Sequence, residues 1–267
     1  MQSRDHDAPA APPGLRALLF DFDGTIAETE RHGHRVAYNR AFEELGLDWE
    51  WDEALYGELL AVAGGKERVR HYVESYGAGV PAGAGGVAEL AERVHRVKAQ
   101  HFDTLAPAIP LRPGIERVAL EARAEGLTIA IVTTALQAGV EAVLGAHPQL
   151  AAAVSLIAAG DVVAEKKPAP DIYVWALERL RLSAVECLAV EDSHNGLRAA
   201  LAAGVPTVVT VSDYSAGEDF SGAAAVFGSL GESGAPAIAL RGVAPPRGVV
   251  DVAFLRAVHA GAIANPG

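Results

Sequence analysis

Four short apolar runs, Leu15–Asp21, Leu127–Thr133, Cys187–Glu191 and Pro206–Val211, constrain the fold of this chain more than any other feature. Each has the length of a strand and is apolar almost throughout, as strands covered on both faces are. Between them lie stretches with the apolar spacing of amphipathic helices: Ile115–Glu125, Leu136–Gly145, Ile172–Arg181 and Leu197–Gly204. Strand–helix alternation of this kind predicts an α/β fold, a doubly wound parallel sheet with helices on both faces. The run Val154–Ala158 is a candidate fifth strand. A short strand is expected near Ala224–Phe227 and a last helix over Val250–Ala260.

One interval breaks the rhythm. Glu28 to Ala108 carries no strand pattern but several helical ones, such as Val36–Leu45 and Val87–Phe102, joined by a Gly-rich loop at Gly77–Gly86. At 267 residues the chain can hold one large domain with a second inserted in it. The expected division is a polar, disordered lead over residues 1–14, a core of residues 15–28 and 108–267, and a helical insert over residues 29–107. Hinges are expected near Ala27-Glu28-Thr29 and Ala106-Pro107-Ala108.

The chemistry falls at the strand ends. Asp21-Phe22-Asp23-Gly24-Thr25 follows the first run, so two carboxylates spaced as i and i+2 can converge on one cation, while Gly24 permits a tight turn. Carboxylates and anion donors at the carboxyl end of a parallel strand suit metal-assisted phosphoryl transfer. The second run ends in Thr133-Thr134. Lys166 and Lys167 precede a helix that Pro168 and Pro170 help to start, and the third strand run leads into Glu191-Asp192-Ser193-His194-Asn195-Gly196. Singly, each has a plain reading: an Asp-rich turn, a strand-end hydroxyl, a solvated lysine, a helix cap. Together they place carboxylates, a hydroxyl and a lysine at successive strand ends.

In order and kind these motifs resemble those of the haloacid dehalogenase superfamily of phosphatases, over nearly all of the chain from Leu15 to about Val211. The helical insert is similar to the cap of its first subfamily, which includes phosphoglycolate phosphatase and β-phosphoglucomutase. The segments Gly64-Gly65-Lys66-Glu67-Arg68, Ala164–Tyr173 and Glu191–Leu197 look similar to those of phosphatases acting on xylulose-1,5-bisphosphate.

The resemblance implies a Rossmann-like core with an α-helical cap and a Mg²⁺-dependent phosphatase of a small sugar phosphate. In that reading Asp21 is the nucleophile that forms an aspartyl phosphate, and Asp23 is the general acid and then the base, with a pKa above that of metal-bound Asp21. Mg²⁺ binds Asp21, the carbonyl of Asp23, and Asp192. Glu191, Ser193 and Asn195 stand behind the metal. Thr133 and Lys167, with the amides of Thr134 and Gly24, hold the phosphoryl group, and Lys166 either stays solvated or shares the role of Lys167. On the cap, Glu30 and His34 share a helix face, and Gly65, Lys66 and Arg68 are candidates for a second phosphate or a sugar hydroxyl.

The alternatives are a sugar phosphomutase of the β-phosphoglucomutase type, which carries a smaller apolar residue where this chain has Thr25, and a phosphoglycolate phosphatase. A dehalogenase pattern lacks the counterpart of Asp23, and a non-catalytic regulatory protein on the same fold would have lost at least one of Asp21, Asp23, Lys167 and Asp192.

A formal net charge of −12 opposes non-specific binding to nucleic acid. The single cysteine, Cys187, excludes an intramolecular disulfide and lies in an apolar run, as a core thiol does. No apolar stretch approaches a membrane span, and the N-terminal stretch lacks the apolar segment of a signal peptide. The expectation is a cytoplasmic protein with a small-molecule partner, as a monomer or weak homodimer.

Overall fold

The computed structural model describes residues 14–62, 64–81 and 83–265; the expected disordered lead, up to residue 13, lies outside the described residues. Among the described residues seven strands form one sheet: β1 (Ala17–Phe20), β2 (Thr128–Val132), β3 (Val154–Ala158), β4 (Cys187–Glu191), β5 (Thr207–Thr210), β6 (Ala225–Phe227) and β7 (Ala239–Arg241). Their order is β3-β2-β1-β4-β5-β6-β7. Pairing is parallel from β3 through β6 and antiparallel only between β6 and β7.

After β1 come a π-helical turn at Glu30–His34 and helices α1 (Arg35–Glu44), α2 (Glu53–Leu59), α3 (Gly65–Tyr76), α4 (Val87–Leu105) and α5 (Ile115–Ala124). Helices α6 (Gln137–Leu144) and α7 (Pro148–Ala153) precede β3. Helix α8 (Asp171–Leu180) precedes β4, α9 (His194–Ala202) follows it, and α10 (Val252–Ala264) follows β7.

Strand β1 shows how the sequence specifies the layers. Alternate side chains of a strand leave opposite faces. Leu18 and Phe20 join Ile115 and Val118 of α5, Val140 of α6 and Leu255 of α10. Ala17 and Leu19 join Ile172 and Ala176 of α8 and Ala199 of α9. Small side chains at Ala17, Ala130, Ala189, Ala199 and Ala200 bring the second pair of helices close to the sheet. A strand with two covered faces has no polar side, which is why the central runs read as apolar throughout.

The helices between β1 and α5 carry an apolar cluster of their own. Tyr38, Phe42, Trp51, Tyr56, Leu59, Val69, Leu90 and Val94 pack together, with Trp51 between Tyr38 and Phe42 at ring separations of 4.7 and 4.9 Å. The two chain crossings that lead into and out of these helices lie side by side. Ala27 bridges Leu111, the Glu28 amide donates to the Pro110 carbonyl at 3.0 Å, and the Arg112 amide donates to the Ile26 carbonyl at 2.9 Å.

Strand β6 forms where a short strand is expected. Strand β7 is not anticipated, because Ala239-Leu240-Arg241 lies largely exposed at the sheet edge and lacks an apolar run. Helix α10 extends four residues beyond its expected end and buries Val252, Leu255 and His259. Among the described residues no helix is long and apolar enough to cross a membrane.

Candidate active site

Strands β1, β2 and β4 are hydrogen-bonded neighbours in matched register, Phe20 lying opposite both Ile131 and Val190. The residues that follow them therefore meet at one edge of the sheet: Asp21, Thr133 and Asp192. After β1 the chain turns sharply, with the amides of Thr25, Ile26 and Ala27 converging on the Phe22 carbonyl at 3.3, 2.9 and 3.2 Å. Gly24 has φ +78°, and a Cβ there would lie 2.2 Å from Asp192 Oδ2. Only glycine satisfies both the backbone and the close approach of that carboxylate.

Lys167 reaches this edge from the loop before α8. Its ammonium donates to Asp21 Oδ1 (2.7 Å), the Val132 carbonyl (2.8 Å) and Glu191 Oε1 (2.6 Å), which uses all three of its protons. Glu191 Oε1 also accepts from the hydroxyl of Tyr173, at 2.5 Å. Glu191 Oε2 is buried with no partner among the described residues and lies against Gly196, where a Cβ would come within 1.9 Å of it. Lys166 is exposed on the same loop.

The charges do not balance. Burial disfavours the Lys167 ammonium, but Asp21 and then Glu191 outweigh it and hold its pKa well above the usual lysine range. Asp21 is pushed up to about 8 by burial, against the pull of Lys167 and with the help of Glu191. Asp192 is raised well above the carboxylate range by burial, then by Asp21 and Glu191. Oxygen atoms of Asp21, Glu191 and Asp192 lie within 4.8 Å of one another. Three buried carboxylates facing one lysine leave a surplus of negative charge in a dry site. A hard divalent cation with oxygen ligands would neutralise it, so this donor set fits Mg²⁺.

Thr133 is buried, and its hydroxyl accepts from the Ala135 amide at 3.0 Å, while Thr134 is exposed beside it. The Gly24 amide, expected to face a phosphoryl oxygen, donates to the Ala27 carbonyl at 2.9 Å. Ser193 caps α9, its hydroxyl accepting from the Gly196 amide at 3.1 Å, and Asn195 is exposed on the first turn.

Asp23 faces the other way, toward the helical insert. Its Oδ1 accepts from the Thr29 hydroxyl at 2.6 Å and lies 3.4 Å from His34 Nε2. Burial raises its pKa, but His34 and Thr29 outweigh burial and hold the carboxyl below the usual range. In the metal-free protein the order of Asp21 and Asp23 is thus the reverse of the order expected for the metal-bound one. His34 Nδ1 lies 2.7 Å from Lys98 Nζ, and the His34 ring stacks on Phe102 at 4.3 Å. Burial draws the Lys98 ammonium down to about 8, against the support of Glu30 and Asp23. Glu30 accepts from the Tyr56 hydroxyl at 2.5 Å, and Arg68 donates to that hydroxyl at 3.2 Å.

Polar atoms of Asp23, Glu30 and His34 lie within 4.8 Å of one another, and Arg68 joins them through the Tyr56 hydroxyl that Glu30 accepts from. Lys66 instead pairs with Glu92 at 2.7 Å, and Gly65 sits against Tyr38, whose hydroxyl donates to the Gly65 carbonyl at 3.2 Å. Lys98 and Tyr56 are additions that motif reading missed. A signal for Lys98 exists: it lies four residues after Val94 and four before Phe102, a lysine on the buried stripe of α4.

Comparison with known proteins shows the family of the chain. The sequence model of the family described as haloacid dehalogenase-like hydrolase matches residues 15–204. The chain is 46% identical over 255 residues to the plasmid protein CbbY of Cupriavidus necator, covering 93% of this chain and 98% of that one. CbbY from Rhodobacter sphaeroides has been solved in complex with phosphate and, as a mutant, with xylulose-1,5-bisphosphate. It matches with a TM-score of 0.72 and 42% identity, over 80% of this chain and 94% of that one. A β-phosphoglucomutase from Clostridium difficile matches at 18% identity with a TM-score of 0.69, over 94% of this chain and 100% of its own, a likeness of fold alone.

Proposed function

The chain belongs to the haloacid dehalogenase-like hydrolases, and on that premise we propose that it is a Mg²⁺-dependent sugar-phosphate phosphatase whose substrate is xylulose-1,5-bisphosphate. The observation that carries the reading is the bridge from Lys167 to Asp21 and Glu191, beside the Asp192 carboxylate seated on Gly24. The substrate assignment is supported by the bisphosphate-bound relative and by two cationic side chains near Asp23, Lys98 beside His34 and Arg68 beside Tyr56. Residues 29–107 form the cap and residues 15–28 with 108–267 the core.

Asp21, the backbone carbonyl of Asp23, and Asp192 would hold the cation, with Glu191 behind them fixing Lys167. When bound, Mg²⁺ supplies positive charge against the phosphoryl oxygens and lets Asp21 stay ionised at neutral pH. Lys167 engages Oδ1 of Asp21, which leaves the second oxygen to attack phosphorus. The bond from phosphorus to the sugar oxygen breaks as the aspartyl phosphate forms, and Asp23, which has to take up a proton against the pull of His34 and Thr29 for this step, gives it to the leaving alkoxide. Asp23, now a carboxylate, takes a proton from the water that attacks the acyl phosphate. Inorganic phosphate leaves, Asp21 is regenerated, and Asp23 holds its proton again. Thr133, at the end of β2, lies at the edge where the transferring group is held.

The test is phosphate release from xylulose-1,5-bisphosphate, phosphoglycolate and hexose phosphates, with and without Mg²⁺, beside Asp21→Asn. Metal-dependent release, highest on the pentulose bisphosphate and absent in the variant, is the expected result. Release favouring another substrate overturns the substrate assignment, and isomerised sugar phosphate without free phosphate overturns hydrolysis.

A further inference from the structure

The turn after β5, Ser212–Ser215, is the one segment of the core edge that reaches the apolar cluster of the cap among the described residues. The buried members of that cluster run from Tyr38 to Val94, yet Tyr214 packs against it. Its ring meets that of Tyr56 edge-on, with centroids 5.7 Å apart and planes at 74°. Gly57 makes room, since a Cβ at that position would lie 3.1 Å from Tyr214 Cδ1. Next to it, Asp213 pairs with Arg31 on the first turn of the cap at 2.5 Å, and Arg31 also holds Glu53 of α2.

The base of this turn is fixed from below. Arg112 is 6% exposed, and its guanidinium donates to the carbonyls of Val211 (2.8 Å) and Gly228 (2.7 Å) and to Glu28 Oε1 (3.0 Å). The Ser212 amide donates to the Ser215 hydroxyl at 2.9 Å, and the Ser215 amide returns to the Ser212 carbonyl at 3.1 Å. A tip on so well held a base has one position, so whatever packs on the tip is placed with respect to the carboxylates. What packs on it is Tyr56. Its hydroxyl joins Glu30 and Arg68, and Arg68 lies over its ring at 5.4 Å.

We propose that Tyr214 is a positioning residue for substrate recognition: through Tyr56 it sets Glu30 and Arg68 over the catalytic edge, and so fixes how the cap grips the part of the substrate that does not react. The contribution is apolar, because the Tyr214 hydroxyl is buried with no partner among the described residues. Shape and ring area, not hydrogen bonding, do the placing. The kinetic form of this statement rests on the phosphatase reading above; the placement itself does not.

The experiment compares Tyr214→Ala and Tyr214→Phe with the wild type. The substrates are xylulose-1,5-bisphosphate and p-nitrophenyl phosphate, which has no second phosphate and no sugar hydroxyl for the cap to grip. Expected for Tyr214→Ala is a rise of about tenfold in KM for the bisphosphate, with kcat within about twofold and p-nitrophenyl phosphate unaffected. Tyr214→Phe keeps the wild-type values, which a hydroxyl-based role would not allow. Small-angle scattering of the same proteins, without substrate, reads the placement independently of activity. Tyr214→Ala expands and Tyr214→Phe does not. If the wild type hydrolyses neither compound, the phosphatase reading fails while the scattering still decides this one. A Tyr214→Ala protein with wild-type scattering, or with KM raised equally for both substrates, overturns the proposal.

Discussion

The ammonium of Lys167 stands 2.7 Å from Asp21 and 2.6 Å from Glu191, so one buried cation serves two carboxylates at once. An uncharged side chain in its place would leave both acids buried without a cation, Glu191 keeping only the Tyr173 hydroxyl. Lys167→Met is therefore expected to lower stability by about 3–5 kcal/mol in urea unfolding. Phosphate release by the protein that still folds should fall by about 10²–10³-fold. Lys167→Arg should not restore activity, because three acceptors at 2.6–2.8 Å fit a compact ammonium and not a planar fork.

Asp192 works against the stability of the metal-free fold. Its carboxyl is raised by burial and by its acidic neighbours from an ordinary 3.8. A raised carboxyl binds more protons folded than unfolded, so stability declines as pH climbs past 3.8 toward neutrality. Asp192→Asn should flatten that decline and melt higher than the wild type at pH 7 without metal. Mg²⁺ should raise the melting temperature of the wild type and leave that of the variant unchanged. Equal Mg²⁺ shifts in calorimetry would remove Asp192 from the metal site.

Gly24→Ala tests the tight fit at the same carboxylate. The new Cβ meets Asp192 Oδ2 at 2.2 Å on a backbone with φ +78°. The expected outcome is about 1–2 kcal/mol of lost stability from the backbone alone. A Mg²⁺ requirement shifted to higher concentration should accompany it, read from the metal dependence of phosphate release.

Lys98 sets a pH limit on the cap. With its ammonium drawn down to about 8, the side chain loses its proton as pH rises through that value. KM for a bisphosphate should accordingly climb above pH 8 in the wild type. Lys98→Met should show a KM raised by about tenfold below pH 8 and flat across that range. A wild-type KM that stays level from pH 7 to 9 would assign the second phosphate to other residues.

How far the sequence reaches depends on whether a feature is local. The apolar run of β1 and the Asp21–Thr25 turn are adjacent in the chain, so both sheet and site are legible there. The same holds for Lys167, because proline residues mark the start of the helix behind it. Contacts across the insert are another matter. His34 and Lys98 meet over a separation of 64 positions, and Arg31 and Asp213 over 182. No spacing rule links such pairs. Lys66 illustrates the opposite error: a lysine after two glycines suggests a ligand, but α3 turns it toward Glu92 on α4. Strand β7 is illegible for a third reason, since an exposed edge strand is held by the pairing of β6 and has no apolar signature of its own.

The placing of β1 between β2 and β4 also dictates when the enzyme comes into being. The buried members of the insert's apolar cluster all lie between Tyr38 and Val94, so their mutual contacts need no later part of the chain to form. Asp21, by contrast, waits for a partner 146 positions downstream. Until β4 slots in beside β1, the nascent chain carries a finished cap and an unfinished half-sheet with an open edge. The charge conflict among Asp21, Glu191 and Asp192 is deferred to that docking step. Cations present during synthesis would then be taken up as the core closes, which makes metal supply a determinant of folding yield as well as of turnover.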